Sequence, residues 1–457
     1  MNLKSNYFPA WQLESRYDAV PDLPVLAEVD VLVVGGGAAG VAAATTAAEQ
    51  GKRTLVIERY GFFGGAAVAG MSGTICGMYM ASDRDPTPQQ VVRGFTERFR
   101  SALERRGGVT GPQRYGKTWT VTHDPLMWSE TADQLVEDSG ARTLFHTSVI
   151  GVIVKDDACT GVVIESAAGR SVVMAERIID ASGDAAVIAR SGYRYVFGDQ
   201  GKIQNPTMFF RLGQIDIPRF LAYWGDDTIN PPKVTEAIAQ ADAAKRYGLP
   251  RKKIWIFPTT RPGELLVNAT RLTARDGHML NVIDPEDFTE AEIAGRRQVR
   301  EYAAFLADNI PGCEDGYVIN TGTQVGVRQT RSIAGVATLT NEDVLACRKR
   351  EDGICRVPWP IELHAGEKPK LNWLLDDYYE VPYLALVPER GENIIVAGRC
   401  LSAEHEALAS ARVTAQCFEY GRAAAVAAIL SLDSGRRLRD IPGQEVRKAM
   451  QALGSTL

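Results

Sequence analysis

The run Asp30-Val-Leu-Val-Val-Gly-Gly-Gly-Ala-Ala-Gly40 constrains this chain more than any other stretch. Val31 to Val34 are consecutively apolar, so both faces of a strand there need cover, as in a parallel sheet. Gly35, Gly37 and Gly40 fit a G-x-G-x-x-G turn, and an Ala/Thr-rich helix follows. The first glycine permits the turn, the second admits a pyrophosphate to the backbone, and the third lets helix and strand pack closely. Free amides and the positive end of the helix dipole favour phosphate charge at that point. A second apolar strand then ends in Glu58, about where an acid takes the ribose hydroxyls. Strand, turn, helix, strand and acid together predict a dinucleotide site at the start of an α/β fold.

The 457 residues allow two or three subdomains, and 45% hydrophobic with 23% charged residues fits a globular chain. A net charge of -5 argues against nucleic acid or an anionic membrane surface as partner. Val31 to Ala48 carry no charge, but three adjacent glycines and many alanines and threonines make a poor membrane span. Residues 1–27 are expected to form a surface arm without a targeting pattern, which predicts a cytoplasmic protein. The 7 cysteines and 5 histidines are scattered with no C-x-x-C pair, so neither a disulfide framework nor a metal site is expected.

The chain then divides by pattern. Residues 28–197 read as the first part of a nucleotide-binding domain, interrupted by a helical excursion at about 85–140 with helical spacing over 88–106 and 125–139. A strand is expected over Arg142–Ile150 and a three-stranded antiparallel meander over Val152–Lys155, Gly161–Glu165 and Ser171–Ala175. Arg177-Ile-Ile-Asp-Ala-Ser-Gly-Asp184 is a further short strand ending in small residues. Residues 198–375 form a mixed α+β substrate or cap domain, with Arg328 and Arg331 on a predicted strand. Residues 376–435 return to the first domain through strands of the parallel type at Glu380–Pro388 and Asn393–Arg399 and one long helix over Ala407–Leu432. Residues 436–457 read as a mobile polar tail. The predicted architecture is a Rossmann-like domain, a parallel sheet with an antiparallel meander, carrying an inserted mixed domain.

Five segments in this order resemble a known family: the Gly35–Gly40 turn with Glu58, Glu58-Arg-Tyr-Gly-Phe-Phe-Gly-Gly65, Asp180–Asp184, Gly326–Gly335 and Asn393–Ala425. The chain resembles the FAD-dependent oxidoreductases of the glutathione-reductase-like superfamily, in particular the branch of the fumarate reductase and succinate dehydrogenase flavoproteins. The resemblance implies that Gly35, Gly37, Gly40, Glu58, Arg59, Gly64 and Gly65 line FAD, with Ala38, Ala39, Ala66 and Ser182 beside them. It implies that Val149 flanks the adenine, that Gly183 and Asp184 close the pyrophosphate side, and that Gly398 and Arg399 reach the ribityl chain or flavin. The last long helix would aim its N-terminus at the flavin pyrimidine. Two departures stand out. Gly421-Arg422-Ala-Ala-Ala425 replaces a frequent G-Q-A-A-G, so Arg422 is expected to form an outward salt bridge. Gly398-Arg399 stands where flavin hydroxylases of the superfamily carry Gly-Asp, which lowers a monooxygenase reading.

The absence of a second G-x-G-x-x-G disfavours a built-in NAD(P)H domain. The expected function is hydride transfer between a small polar substrate and flavin N5, with oxygen, a quinone or another external carrier as second partner and a homo-oligomer allowed. The rivals are a redox-neutral flavin enzyme (hydratase, isomerase or lyase) and a non-catalytic flavin-binding component. The candidate catalytic residues are His405 as acid or base, Arg412 as carboxylate anchor, Arg399 and Arg328. His405 and Arg412 stand seven apart and would share a helix face. Arg331 and His364 are weaker candidates, and Cys76 is a conceivable covalent flavin attachment.

Overall fold

The structure, a computed structural model, describes residues 15–364 and 370–457. Its centre is an eight-stranded sheet in the order Arg16–Tyr17, Ser148–Lys155, Ala158–Ser166, Gly169–Asp180, Val25–Val34, Thr54–Ile57 and Arg142–Leu144, with Ile394–Val396 also paired to Gly169–Asp180. Val31, Leu32 and Val33 are fully buried, as a strand covered on both faces requires. The parallel registers set Val34 beside both Ile57 and Asp180, and Asp180 beside Val396. Four strands therefore end abreast, and the chain leaves them through Gly35, Glu58, Ala181 and Ala397. Ligands of open α/β sheets collect at this edge.

The meander forms as expected, but Gly169–Asp180 is one strand where the pattern predicts two. Its first half pairs antiparallel with Ala158–Ser166 and its second half runs parallel to Ile394–Val396, while Val25–Val34 lines its other side. No turn residue breaks it, and exposed Glu176 with Arg177 only interrupts the apolar run. The expected strand over Arg142–Ile150 is split instead, because His146 takes a left-handed φ of 50° between Arg142–Leu144 and Ser148–Lys155.

Helix Ala38–Glu49 packs against helix Thr414–Ser434. A Cβ on Gly421 would come 2.0 Å from the Ala39 carbonyl oxygen, so the small residues serve a close helix–helix contact. The long helix expected over Ala407–Leu432 is two. His405–Ala411 ends at Arg412, Val413 is extended, and Thr414 starts a new helix. Helix Phe95–Arg105 begins later than residue 88, after Gly94 at φ 78°. The excursion also holds a three-stranded antiparallel sheet of Thr74–Ile75, Thr118–Thr122 and Gln113–Tyr115. Helix Pro125–Asp138 starts on Asp124, whose carboxylate accepts from the Leu126 and Met127 amides.

A second apolar core spans Met208 to Val325. Four antiparallel strands, Trp255–Pro258, Leu265–Asn268, Phe210–Gly213 and Tyr317–Thr321, build it together with helix Pro285–Asn309. That helix buries Ala291, Gly295, Val299, Tyr302 and Leu306, a stripe at helical spacing. Apolar residues from Ile333 to Leu374 pack into the first core instead, although the pattern grouped residues 198–375 together. Tyr379–Pro382 pairs antiparallel with Gly353–Val357, not in the parallel style expected. Arg328 lies on irregular backbone, and only Arg331–Ile333 forms a strand.

The two chain ends also differ from expectation. Of the predicted arm, residues 1–14 lie outside the described residues, Arg16–Tyr17 adds a strand at the sheet edge, and Val25 already opens the central strand. The tail is docked. Helix Gly443–Ala452 packs on Thr414–Ser434 and buries Val446 and Met450 completely. Arg422 makes no outward salt bridge among the described residues: it is buried and donates to the Leu453 carbonyl at 2.9 Å and Ser455 Oγ at 3.2 Å.

Candidate active site

The four strand ends open into a cleft that is partly open to solvent. Gly35, Gly37, Ala38, Ala39, Glu58, Arg59, Gly64, Gly65, Ala66, Ser182, Gly183, Gly398, Arg399 and Arg412 line it, so the structure brings these distant candidates together. Tyr60, Ala67, Ala181, Gln324, Val327, Ala397, Thr414 and Cys417 complete the lining. Sequence reasoning named none of these eight singly, although all but Gln324 fall in segments it read as part of the cofactor site. Ala181 and Ala397 stand one step beyond the observed strand ends, and Val327 falls in the Gly326–Gly335 segment, whereas Gln324 carried no signal.

The glycine turn suits a bulky phosphate ligand. A Cβ on Gly37 would meet only Gly65 Cα, at 3.7 Å, and Gly65 itself needs a φ of +47°. Bare backbone thus faces bare backbone across the cleft floor at the start of helix Ala38–Glu49. Gly40 lies beneath the turn, where a Cβ would come 1.8 Å from the Gly35 carbonyl oxygen. Its role is the close packing of helix on strand. Glu58 Oε2 accepts from the Gly36 amide at 2.6 Å and Oε1 from the Tyr60 amide at 2.9 Å. Each carboxylate oxygen keeps a second acceptor site, so Glu58 can shape the loop and still take a ribose hydroxyl. The residues present therefore fit FAD.

Asp184 stands behind the lining. Its Oδ1 accepts from Arg399 Nη2 at 2.6 Å and from Thr330 Oγ1 at 2.8 Å. Burial pushes the Asp184 carboxyl up, but Arg399, Thr330 and Arg59 outweigh it and hold the group below its usual range. Asp180 faces away from the cleft and caps the next short helix, its Oδ2 accepting from the Val187 amide at 2.8 Å. Arg59 Nη2 donates to Gln324 Oε1 at 2.9 Å, and the Tyr60 hydroxyl reaches the same oxygen. Val149 lies half-buried on Ser148–Lys155, outside the lining. His405 also lies outside it, half-buried at the first position of its helix with Nδ1 unpartnered among the described residues. Cys76 sits between the Thr74 and Thr120 hydroxyls, outside the lining, and burial pushes its thiol up to about 11. No group of three or more metal-binding side chains occurs among the described residues.

Arg412 connects the cleft to a buried polar cluster that sequence reasoning saw only in part. Arg412 Nη2 donates to Gln204 Oε1 at 3.0 Å, and Arg328 Nη1 to the Asn205 carbonyl at 2.7 Å. Arg251 stacks 4.5 Å over the Trp255 ring and donates to Asn268 Oδ1 at 2.7 Å. The Tyr115 hydroxyl donates to Glu362 Oε1 at 2.7 Å, with His364 Nε2 3.4 Å from the same oxygen. Burial pulls Arg251 and Arg412 down to about 10, and Arg328 well below its ordinary value. A guanidinium nevertheless remains charged in a protein. Burial pushes the Glu362 carboxyl up, but His364, Tyr115 and Arg412 outweigh it and hold it at about 2. Burial, then the Arg328 charge, brings His364 down to about 3. At neutral pH the cluster thus holds an ionised Glu362 beside a neutral His364. Tyr115, Arg251 and Gln204 gave no sequence signal, since each is an isolated polar residue in an unremarkable segment.

A family model described as FAD dependent oxidoreductase matches residues 30–450 of this chain. A thiamine thiazole synthase of Methanococcus vannielii is 33% identical over 173 residues, a match spanning 36% of this chain and 60% of that protein. The p-nitrophenol 4-monooxygenase of Pseudomonas putida DLL-E4 superposes with a TM-score of 0.50 at 12% identity, covering 93% of this chain and 86% of that one. A geranylgeranyl bacteriochlorophyll reductase-like protein of Thermoplasma acidophilum gives a TM-score of 0.48 at 15% identity, over 93% and 82% of the two chains. At 12% identity the monooxygenase match speaks for the fold alone.

Proposed function

The chain belongs to the FAD-dependent oxidoreductase family, and from that premise we propose that it moves a hydride between a small polar substrate and the flavin. The substrate carries a C–H next to a hydroxyl, amine or carboxylate, or a C=C reduced in the reverse direction. Arg412 is the observation that carries this reading, because it lines the cofactor cleft and also belongs to the buried cluster beyond it.

Bound FAD supplies hydride transfer at N5. The chain supplies binding, orientation and charge. The Gly35–Gly40 turn and the start of helix Ala38–Glu49 hold the pyrophosphate, and Glu58 holds the adenosine ribose. Arg399, clamped by Asp184 and Thr330, presents a fixed positive group to the cleft. Thr414 and Cys417 bring the first turn of the last long helix into the lining, where its roughly +0.5 charge would favour negative charge on the bound ring. Arg412 orients the substrate through its planar fork. His405 stands outside the lining, and this reading assigns it no step. The order of the five segments supports placing the chain near the fumarate reductase branch of the glutathione-reductase-like superfamily. Its seven free cysteines suit a reducing, cytoplasmic setting.

Anaerobic titration of the FAD-loaded chain with candidate substrates tests the reading. Substrate-dependent bleaching of the flavin absorbance, slowed roughly 10²-fold or more in Arg412→Gln but not in His405→Ala, is expected. Product without bleaching would point instead to a redox-neutral enzyme, and a rate unaffected by Arg412→Gln would remove the anchor.

A further inference from the structure

The buried cluster beyond Arg412 is out of electrostatic balance. Arg251 and Arg328 are more than nine-tenths buried and Arg412 is partly buried where it borders the cleft, and none makes an ion pair with a carboxylate among the described residues. Their partners are neutral: Asn268, the Asn205 carbonyl and Gln204. Among the described residues one carboxylate, Glu362, serves the group, and it is already engaged by Tyr115 and faced by His364. Buried guanidinium charge is costly without an anion to meet it. Moreover, Arg251 Nη2, Arg412 Nε and Gln204 Nε2 are buried donors without a hydrogen-bond partner among the described residues. Such orphaned donors call for an acceptor. Arg412 also lines the cofactor cleft, and Val327, next to Arg328, does so too.

We propose that Arg251, Arg328 and Arg412 form an anion pocket for the substrate. The substrate presents a small oxyanionic portion carrying about two negative charges, as in a dicarboxylate or a phosphate monoester. Among the described residues these three guanidiniums face one carboxylate, which leaves the site positive, and the guanidinium fork matches both kinds of oxygen. Glu362 then sets selectivity. It holds Tyr115 and His364 in place and, by its own charge, limits how much negative charge the pocket accepts. This inference rests on the reading of the cleft as a redox site, because it identifies what that site receives.

Calorimetric titration of the FAD-loaded full chain tests the pocket without turnover, using glutarate, inorganic phosphate and neutral glutaramide as probes. At least one of the two anions is expected to bind while glutaramide does not. Binding of phosphate alone assigns a phosphate ester, and binding of glutarate alone a dicarboxylate. Arg328→Gln and Arg251→Gln should each weaken the bound anion roughly 10- to 100-fold, whereas Glu362→Gln, which keeps an acceptor for Tyr115, should tighten it. The flavin-to-protein absorbance ratio verifies that each variant is folded and loaded. Should an arginine variant fail to fold, the comparison of anion with amide in the unaltered chain still decides. Equal binding of glutaramide, binding of neither anion, or arginine variants with unchanged affinity would overturn the pocket. Anion binding with no bleaching by any substrate would sink hydride transfer and leave the pocket standing. Bleaching by a neutral substrate with no anion binding would do the reverse.

Discussion

Gly37 and Gly65 face each other across the cleft floor, so close that a Cβ on Gly65 would stand 3.0 Å from Gly37 Cα. The contact joins the first glycine turn to the loop after the second strand. It leaves backbone on both sides where FAD is read to pass.

Gly37→Ala and Gly40→Ala should therefore separate binding from folding. At Gly37 the φ of −75° suits alanine and the added methyl meets only Gly65, so apoprotein stability should stay within about 0.5 kcal/mol. The methyl intrudes on the phosphate path, and FAD affinity should fall roughly 10-fold or more. At Gly40 the methyl strikes the Gly35 carbonyl, and the apoprotein should lose about 1–3 kcal/mol or more. Thermal melts of the apoproteins with FAD fluorescence titrations measure both. Equal stability loss in the two would refute the assignment.

Removing the Glu58 carboxylate has two effects. It orphans the Gly36 amide, which costs about 1–3 kcal/mol, and it removes the proposed ribose acceptor. Glu58→Ala should lower apoprotein stability by that amount and weaken FAD retention roughly 10-fold. Glu58→Gln, which keeps one acceptor oxygen, should recover part of the stability. Retention unchanged in Glu58→Ala would take Glu58 out of the ribose site.

Acid should destabilise the protein well above the usual carboxylate range. His364 at about 3 and His123 at about 4 are lowered chiefly by burial, so below about pH 6.5 the unfolded chain binds more protons than the folded one. Stability accordingly falls as pH drops from about 6.5 toward the folded values, by up to about 1.4 kcal/mol per pH unit for each histidine. Glu362, lowered to about 2, contributes stability that is present above about pH 4.3 and lost as pH falls through its folded value. Denaturant unfolding at pH 7 and pH 5 should show a smaller loss in His364→Gln than in the unaltered chain. An identical loss in both would contradict the lowered value.

The C-terminal helix contributes to the core. Met450 is fully buried against the Thr414–Ser434 layer, and Met450→Ala should cost about 2–5 kcal/mol. A mobile tail would lose nothing, and an unchanged unfolding midpoint would restore that view.

Much of the cofactor half was legible because its signals are local. The Gly35–Gly40 spacing, the apolar strands ending at Val34 and Asp180, and the acid at Glu58 each follow from backbone geometry within a few residues. Helix ends were less so. The break at Arg412-Val413 contains neither glycine nor proline, and the packing of Thr414 at the cleft outweighs the helix propensity that runs through it.

The sequence alone determined the α/β class, the glycine turn at the strand end and the meander, since periodicity and turn chemistry act over short range. Only the tertiary structure decided which side chains meet beyond the cofactor. Tyr115, Gln204, Arg251, Arg328, Glu362, His364 and Arg412 come from six separate segments, and the structure gathers them into one buried cluster. Charge in low dielectric is a property of that assembled neighbourhood, and no spacing along the chain records it.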